Sequence, residues 1–162
     1  MSFDLEGQRF VITGAGRGIG NAIGKRFACL GARVSGWDLN VSEIIEDPAF
    51  EHIMCVDVTD EASVAQGFKS SLKALGGLEG LIASAGVNGT TRPTWEYSLA
   101  DWQQVVDVDL TGVFLSVRSV LPHLRSTGYG RVVIIASIAA KDGNPGAVAY
   151  GAAKAGVVGF AK

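Results

Sequence analysis

The chain has little of what marks several functional classes. It carries two histidines and two cysteines in 162 residues. His52 and His123 lie far apart without ligand-like spacing, so no metal site is expected. Cys29, on a predicted first helix, and Cys55, on a predicted third strand, are expected as buried free thiols. There is no basic run, and the net charge is −2, which argues against a nucleic-acid partner. The N-terminus carries Asp4 and Glu6 and no apolar core of a secretory signal. No apolar stretch approaches the ~20 residues of a membrane span. A cytoplasmic location is therefore expected. Without a visible repeat or linker, residues 1–162 read as one domain, a length that a single core serves comfortably. What is abundant is apolar side chain, at 48%. The 22 glycines are also about twice the ~7% average. Both suit a buried parallel sheet with many tight turns.

The glycines concentrate first at Thr13-Gly14-Ala15-Gly16-Arg17-Gly18-Ile19-Gly20. Before them, Arg9-Phe10-Val11-Ile12 is a short apolar run of strand type. After them, Ile19, Ile23, Phe27 and Leu30 repeat at helical spacing, and Gly31 sits where a helix C-cap belongs. A glycine turn between strand and helix is the setting for a dinucleotide pyrophosphate. One glycine permits the tight turn, another lets the backbone approach the phosphates, and the helix N-terminus offers unpaired N–H groups. An ordinary βα turn has the same glycines, so the second strand supplies an independent check. It ends in Asp38, 18 residues after Gly20, where a carboxylate would accept hydrogen bonds from an adenosine ribose. Such a carboxylate repels a 2′-phosphate, and no Lys or Arg stands between Asp38 and Pro48 to hold one. Arg17 is the one cation favouring NADP, so NAD is the expected cofactor and NADP the lesser alternative.

A second constellation lies downstream. Gly130-Arg131-Val132-Val133-Ile134-Ile135-Ala136 is a continuous run expected to be a strand buried on both faces, and Ser137 stands at its end. Tyr150 and Lys154 are four residues apart on a helix predicted from about Ala147 onward, so they share a face. A tyrosine with an ordinary pKa near ~10 is a poor proton donor or acceptor at neutral pH; a fixed ammonium nearby favours its phenolate. A serine at the strand end can donate to a substrate oxygen as charge develops there. The triplet is suited to moving a proton at an alcohol or ketone.

The remaining chain alternates strand and helix. Residues 51–56 read as a third strand and 78–84 as a fourth. Between them Val64, Phe68, Leu72 and Leu75 form a helical stripe with Asp60 as its N-cap. Residues 87–97 read as a polar loop at a strand's C-terminal end, a natural substrate wall, unless Trp95 simply packs on the next helix. Trp102, Val106, Leu110, Val113, Val117 and Val120 form one long stripe, with Pro122 in its last turns. This alternation predicts an α/β fold: a doubly wound, Rossmann-type parallel sheet with helices on both faces and five strands visible.

The combination Thr13-Gly14-x-x-x-Gly18-x-Gly20, Asp38, Asp57-Val58, Ala85-Gly86, Ser137 and Tyr150-x-x-x-Lys154 resembles the classical short-chain dehydrogenase/reductase family, in register over essentially the whole chain. The resemblance implies Tyr150 as acid/base, Lys154 as its tuning partner and holder of the nicotinamide ribose, and Ser137 as the group that positions the substrate oxygen. It implies a cofactor site of Gly14, Arg17, Gly18, Ile19, Gly20, Asp38, Leu39, Asp57, Val58, Ala85 and Gly86, together with Tyr150 and Lys154. Asp57 and Val58 would contact the adenine, and residues 83–86 would line the cofactor.

Two positions depart from the family pattern. Ala83-Ser84-Ala85-Gly86 stands for the usual Asn-Asn-Ala-Gly, a mild change because Ser84 keeps some hydrogen bonding. Asp109 occupies the place of a catalytic asparagine that holds a water in a proton relay. An ionised carboxylate accepts but does not donate, and brings a negative charge towards Lys154. Either the relay is retuned, or the variant is tolerated. Family members also continue with further C-terminal strands, whereas this chain stops at Lys162, eight residues past Lys154. The expectation is a fifth strand with a bare edge, poor catalysis by residues 1–162 alone, and a tendency to self-associate as a homo-oligomer. Two functional classes follow. One is an NAD-dependent oxidoreductase acting on a secondary alcohol or ketone, whether a small polyol, a sugar or a 3-oxoacyl thioester. The other is an NAD-binding module without turnover.

Overall fold

Two elements fix the frame of the molecule: a central apolar strand, and the helix that follows its glycine turn. The computed structural model describes residues 4–162. Strand β1 (Arg9–Thr13) is buried along all but its first residue. It lies between β2 (Arg33–Asp38) and β4 (Gly80–Ala83), pairing parallel with both, Ile12 standing opposite Gly36 on one side and Ile82 on the other. Strand β3 (His52–Cys55) adds to β2, and β5 (Arg131–Ile134) adds to β4, giving the parallel order β3-β2-β1-β4-β5. The order reverses between β1 and β4, and a crevice at the carboxyl ends of strands at such a point is where open α/β sheets bind ligands.

Alternation along β1 divides the core. Val11 points to one face, where Trp37, Leu81, Val64 of α2 (Glu61–Leu75) and Val117 of the fourth helix meet. Phe10 and Ile12 point to the other, against Val34, Ile82 and Ile23 and Phe27 of α1 (Gly18–Cys29). Helices thus cover both faces. The α2 N-cap is as the sequence predicts, Asp60 accepting the Ala62 N–H at 2.8 Å; the helix closes at Gly76 in the left-handed region. The deeply buried Trp37 needs a partner for its indole, and donates to Ser71 Oγ at 2.9 Å. Ser71 also contacts Ser35 Oγ at 2.8 Å, which in turn meets His52 Nδ1 at 2.8 Å, so a polar chain stitches β2 and β3 to α2. Among the described residues no helix is long and apolar enough to cross a membrane.

Several expectations need correction. Cys29 and Cys55 are exposed, not buried. Cys29 ends α1 on its solvent side, and Cys55 ends the edge strand β3, so neither reaches a covered face. Ile19 is 61% exposed and lies outside the packed stripe of α1, whose fully buried positions are Gly20 and Gly24. The fifth strand is shorter than predicted and is not covered on both faces: its exposure alternates along β5, with Val133 46% exposed, because it is an edge. The long stripe expected as one helix is two, α3 (Leu99–Val106) and α4 (Gly112–Thr127), joined by a π-helical turn, Asp107–Thr111. A widened turn of this kind inserts a residue and redirects the side chains at its centre, and it is frequent at functional sites. A short helix, α5 (Ala139–Asp142), precedes the predicted last helix, α6 (Val148–Phe160).

Candidate active site

The glycine turn leaves β1 and folds against the exit of β4. Gly14 has φ +67°, and a Cβ there would lie 2.8 Å from the Ala85 main chain. Beside it, Thr13 Oγ1 accepts the N–H groups of Ser84 and Ala85, each at 3.0 Å, so the two strand exits are tied together. Gly18, the first residue of α1, faces open space. The amides of that first turn are therefore approachable by a pyrophosphate, whose charge the helix N-terminus favours. Arg17 caps this helix and is exposed. Asp38 closes the end of β2 with both oxygens engaged: Oδ2 accepts the Gly16 N–H at 2.8 Å and Oδ1 the Asn40 N–H at 3.0 Å. The carboxylate is thus held in place next to the turn, with Leu39 beyond it 64% exposed. Asp57 follows β3 and binds its own turn through the Thr59 N–H at 2.9 Å and hydroxyl at 2.7 Å. Val58 turns its side chain inward, where it packs against Gly112 at the start of α4.

The second group assembles at the exits of β4 and β5. Ser137 lies just past β5 and accepts the Ala139 N–H at 3.2 Å, which starts α5. Tyr150 and Lys154 lie one turn apart on α6, the ammonium 5.6 Å from the centre of the tyrosine ring. Lys154 is buried, at 4% exposure. Its Nζ donates to the Ile135 carbonyl at 3.1 Å and stands 3.2 Å from Asp109 Oδ2. Asp109 comes from the centre of the π turn and is 0% exposed. Its Oδ1 accepts the Val87 N–H at 2.7 Å. Burial pushes the Asp109 carboxyl above its ordinary value, and the Val87 N–H and the Lys154 charge pull it back. Gly86 makes room for this pair: a Cβ there would lie 3.0 Å from Oδ2 and 3.3 Å from Nζ.

The loop 87–97 runs beside this group and is anchored to the approach to α6 by the Arg92 N–H, which donates to the Gly146 carbonyl at 2.8 Å. Tyr97 and Val87 pack with Tyr150 around Val105 and Ala149. Trp95 is 85% exposed, so it does not pack on the helix that follows. The structure gathers Asp109, Tyr150, Lys154 and Gly86, and separately Gly14, Gly16, Gly20, Asp38 and Ala85. Both groups sit at the carboxyl edge of the sheet. Sequence reasoning missed Asn40, Val87 and Ile135. All three act through main-chain atoms, which leave no mark on residue type. Among the described residues no three His, Cys, Asp or Glu side chains come together as metal ligands.

A family model described as short chain dehydrogenase matches residues 8–162. The chain is 42% identical over 159 residues to 2-dehydro-3-deoxy-L-rhamnonate dehydrogenase (NAD(+)) of Sphingomonas sp. (strain SKA58), covering 96% of this chain and 64% of that protein. It is 36% identical over 168 residues to a 3-oxoacyl-[acyl-carrier-protein] reductase of Synechocystis sp. (strain ATCC 27184 / PCC 6803 / Kazusa), covering 98% of this chain and 67% of that one. Among solved structures, NAD+-bound xylitol dehydrogenase superposes with a TM-score of 0.93 at 28% identity, over 98% of this chain and 64% of the other. The chain thus spans about two thirds of the length of these proteins. With its matched residues running from the start of β1 through α6, it belongs to the short-chain dehydrogenase family.

Proposed function

We propose that this chain carries the cofactor and proton-transfer machinery of an NAD(H)-dependent oxidoreductase that interconverts a secondary alcohol and its ketone. The observation that carries the reading is the buried Lys154, held by Ile135 and Asp109 beneath the ring of Tyr150, on the same edge of the sheet as the glycine cradle. The cleft fits a dinucleotide: its first helical turn is open, and its ribose-binding carboxylate is already oriented by two backbone amides. A nicotinamide bound there would accept or return the hydride. The chain's own residues do the rest. Tyr150 exchanges the proton of the substrate oxygen, Lys154 supplies hydrogen-bond donors beside it, and Ser137 holds that oxygen while charge develops.

Asp38 favours NAD over NADP, since a fixed carboxylate at this place repels a 2′-phosphate. We read the substrate as a small polyol or sugar-derived acid. That reading is supported by the 2-dehydro-3-deoxy-L-rhamnonate and xylitol dehydrogenases among the similar proteins, while the similar 3-oxoacyl reductase keeps the thioester as the competing class. The two exposed, unpaired cysteines accord with a reducing, cytoplasmic setting. A non-catalytic NAD-binding module is the second reading, favoured only by Asp109 in place of the family asparagine.

The test is cofactor binding by residues 1–162, and turnover in a full-length context. NADH is expected to bind at least about tenfold tighter than NADPH at matched ionic strength, one charge repulsion being of that order. Oxidation of polyols with NAD+ is expected, and sugar acids or 3-oxoacyl thioesters identify the substrate class by their relative rates. Equal NADPH binding would overturn the cofactor reading. Tight NADH binding with no turnover on any alcohol or ketone would favour the binding module.

A further inference from the structure

Asp109 and Lys154 are the buried charged side chains among the described residues, and they face each other. Whichever of the two holds the shared proton, the pair has no net charge: carboxylate with ammonium, or acid with amine. Were residue 109 neutral, as in the family pattern, an ionised Lys154 would stand alone in a site shielded from water. The nicotinamide ring of NAD+ carries a positive charge that NADH lacks. An uncompensated ammonium therefore weighs against NAD+ and is indifferent to NADH, and a compensated one does neither. Burial matters here, because a charge that water and salt do not screen acts across several ångströms.

We propose that Asp109 is a specificity-determining residue that cancels the charge of Lys154 and so shifts the site's selectivity towards NAD+ over NADH, which rests on the reading of this cleft as a nicotinamide site with Lys154 at its ribose. The site then keeps the hydrogen-bond donors of the lysine without its field. It stands loaded with the oxidised cofactor, the form that begins alcohol oxidation. The surroundings leave the pair to act by itself. From α6 the titratable neighbours are Lys154 and Tyr150. On its own turn Asp107 is directed away, accepting from Gln103 Nε2 at 2.7 Å. The exits of β4 and β5 contribute only Gly86, the Val87 amide and the Ile135 carbonyl, none of which titrates. The backbone bond from Val87 to Oδ1 holds the carboxylate so that Oδ2 is the atom turned to Lys154.

The experiment measures dissociation constants for NAD+ by calorimetry and for NADH by fluorescence, in the unmodified protein, in Asp109→Asn and in Asp107→Asn. Asp109→Asn is expected to raise the ratio of the NAD+ to the NADH constant about tenfold, mainly by weakening NAD+, the order for one poorly screened charge. Asp107→Asn is expected to leave the ratio unchanged, and added salt to alter the Asp109→Asn ratio little. An unchanged ratio in Asp109→Asn, or a parallel loss of both affinities, overturns the proposal while leaving the NAD(H) reading intact, as does an equal change in Asp107→Asn. If neither cofactor binds the unmodified protein, the NAD(H) reading itself falls, and this inference with it. Circular dichroism reports the fold of each variant, and Asp109→Ser, smaller and neutral, carries the same expectation should Asp109→Asn not fold.

Discussion

Strands β1 and β5 are written in nearly the same residues, Phe-Val-Ile-Thr and Val-Val-Ile inside their runs, yet they meet opposite fates. In β1 the last four residues are buried, and in β5 none is. The difference is position in the sheet: β1 has a hydrogen-bonded neighbour on each side and helices over both faces, while among the described residues β5 has a neighbour only in β4. Apolar sequence specifies that a segment can be buried; pairing order decides whether it is. The same contrast runs through the site. The cradle after β1 combines close glycine–backbone contact with hydrogen bonds from Thr13 and Asp38. The group after β5 is held by three polar contacts of the buried pair Lys154 and Asp109.

The contrast can be broken most sharply at the chemistry. On the proposed role of Tyr150 as proton donor, Tyr150→Phe in a full-length context is expected to lower turnover by at least ~10²-fold with NADH affinity little changed. Steady-state kinetics beside a binding isotherm checks it, and near-normal turnover would place the proton elsewhere. On the cradle side, Gly14→Ala forces a side chain into a positive-φ position and against Ala85, at a cost of about 2.5 kcal/mol in stability. Denaturant melts read that loss; a full-stability Gly14→Ala variant would mean that the turn is looser than its contacts imply. The strands themselves give a direct pair. Val11→Ala, at a fully buried site, is expected to cost about 2 kcal/mol. Val133→Ala, at a site 46% exposed, should stay within about 0.5 kcal/mol. Equal losses would show that β5 is covered in solution.

The smallest effect is in pH. The Asp109 carboxyl is raised by burial, so its share of stability is full below the ordinary carboxylate range and is lost as pH rises through its raised value. The stability of the unmodified protein relative to Asp109→Asn should therefore fall from acid towards neutral pH. The difference between their urea midpoints across that range gives the measurement, and a flat difference would mean that the Lys154 and Val87 contacts fully offset burial.

Much of this was legible in the residues, for identifiable reasons. The strand before Gly14 and the helix after it are local signals, as are the Asp60 cap and the four-residue spacing of Tyr150 and Lys154. The departure at Asp109 was visible as a residue type, and its approach to Lys154 was expected. Its Val87 bond was not, because that depends on a π turn that a regular helical stripe does not announce. The cysteines were misjudged because exposure at the end of a helix or of an edge strand depends on what packs there.

The sequence by itself determined which groups this chain carries: a glycine turn between strand and helix, a carboxylate after β2, and a serine, tyrosine and lysine in order. Those follow from side-chain chemistry and from spacing within single elements, which the chain carries locally. The tertiary structure decided which of these groups meet. It brought Asp109 to the Val87 amide through the π turn, Asp38 to the Gly16 amide, and Cys29 and Cys55 to the surface. Contacts between residues so far apart in the chain are set by strand order and close packing, which no local pattern encodes.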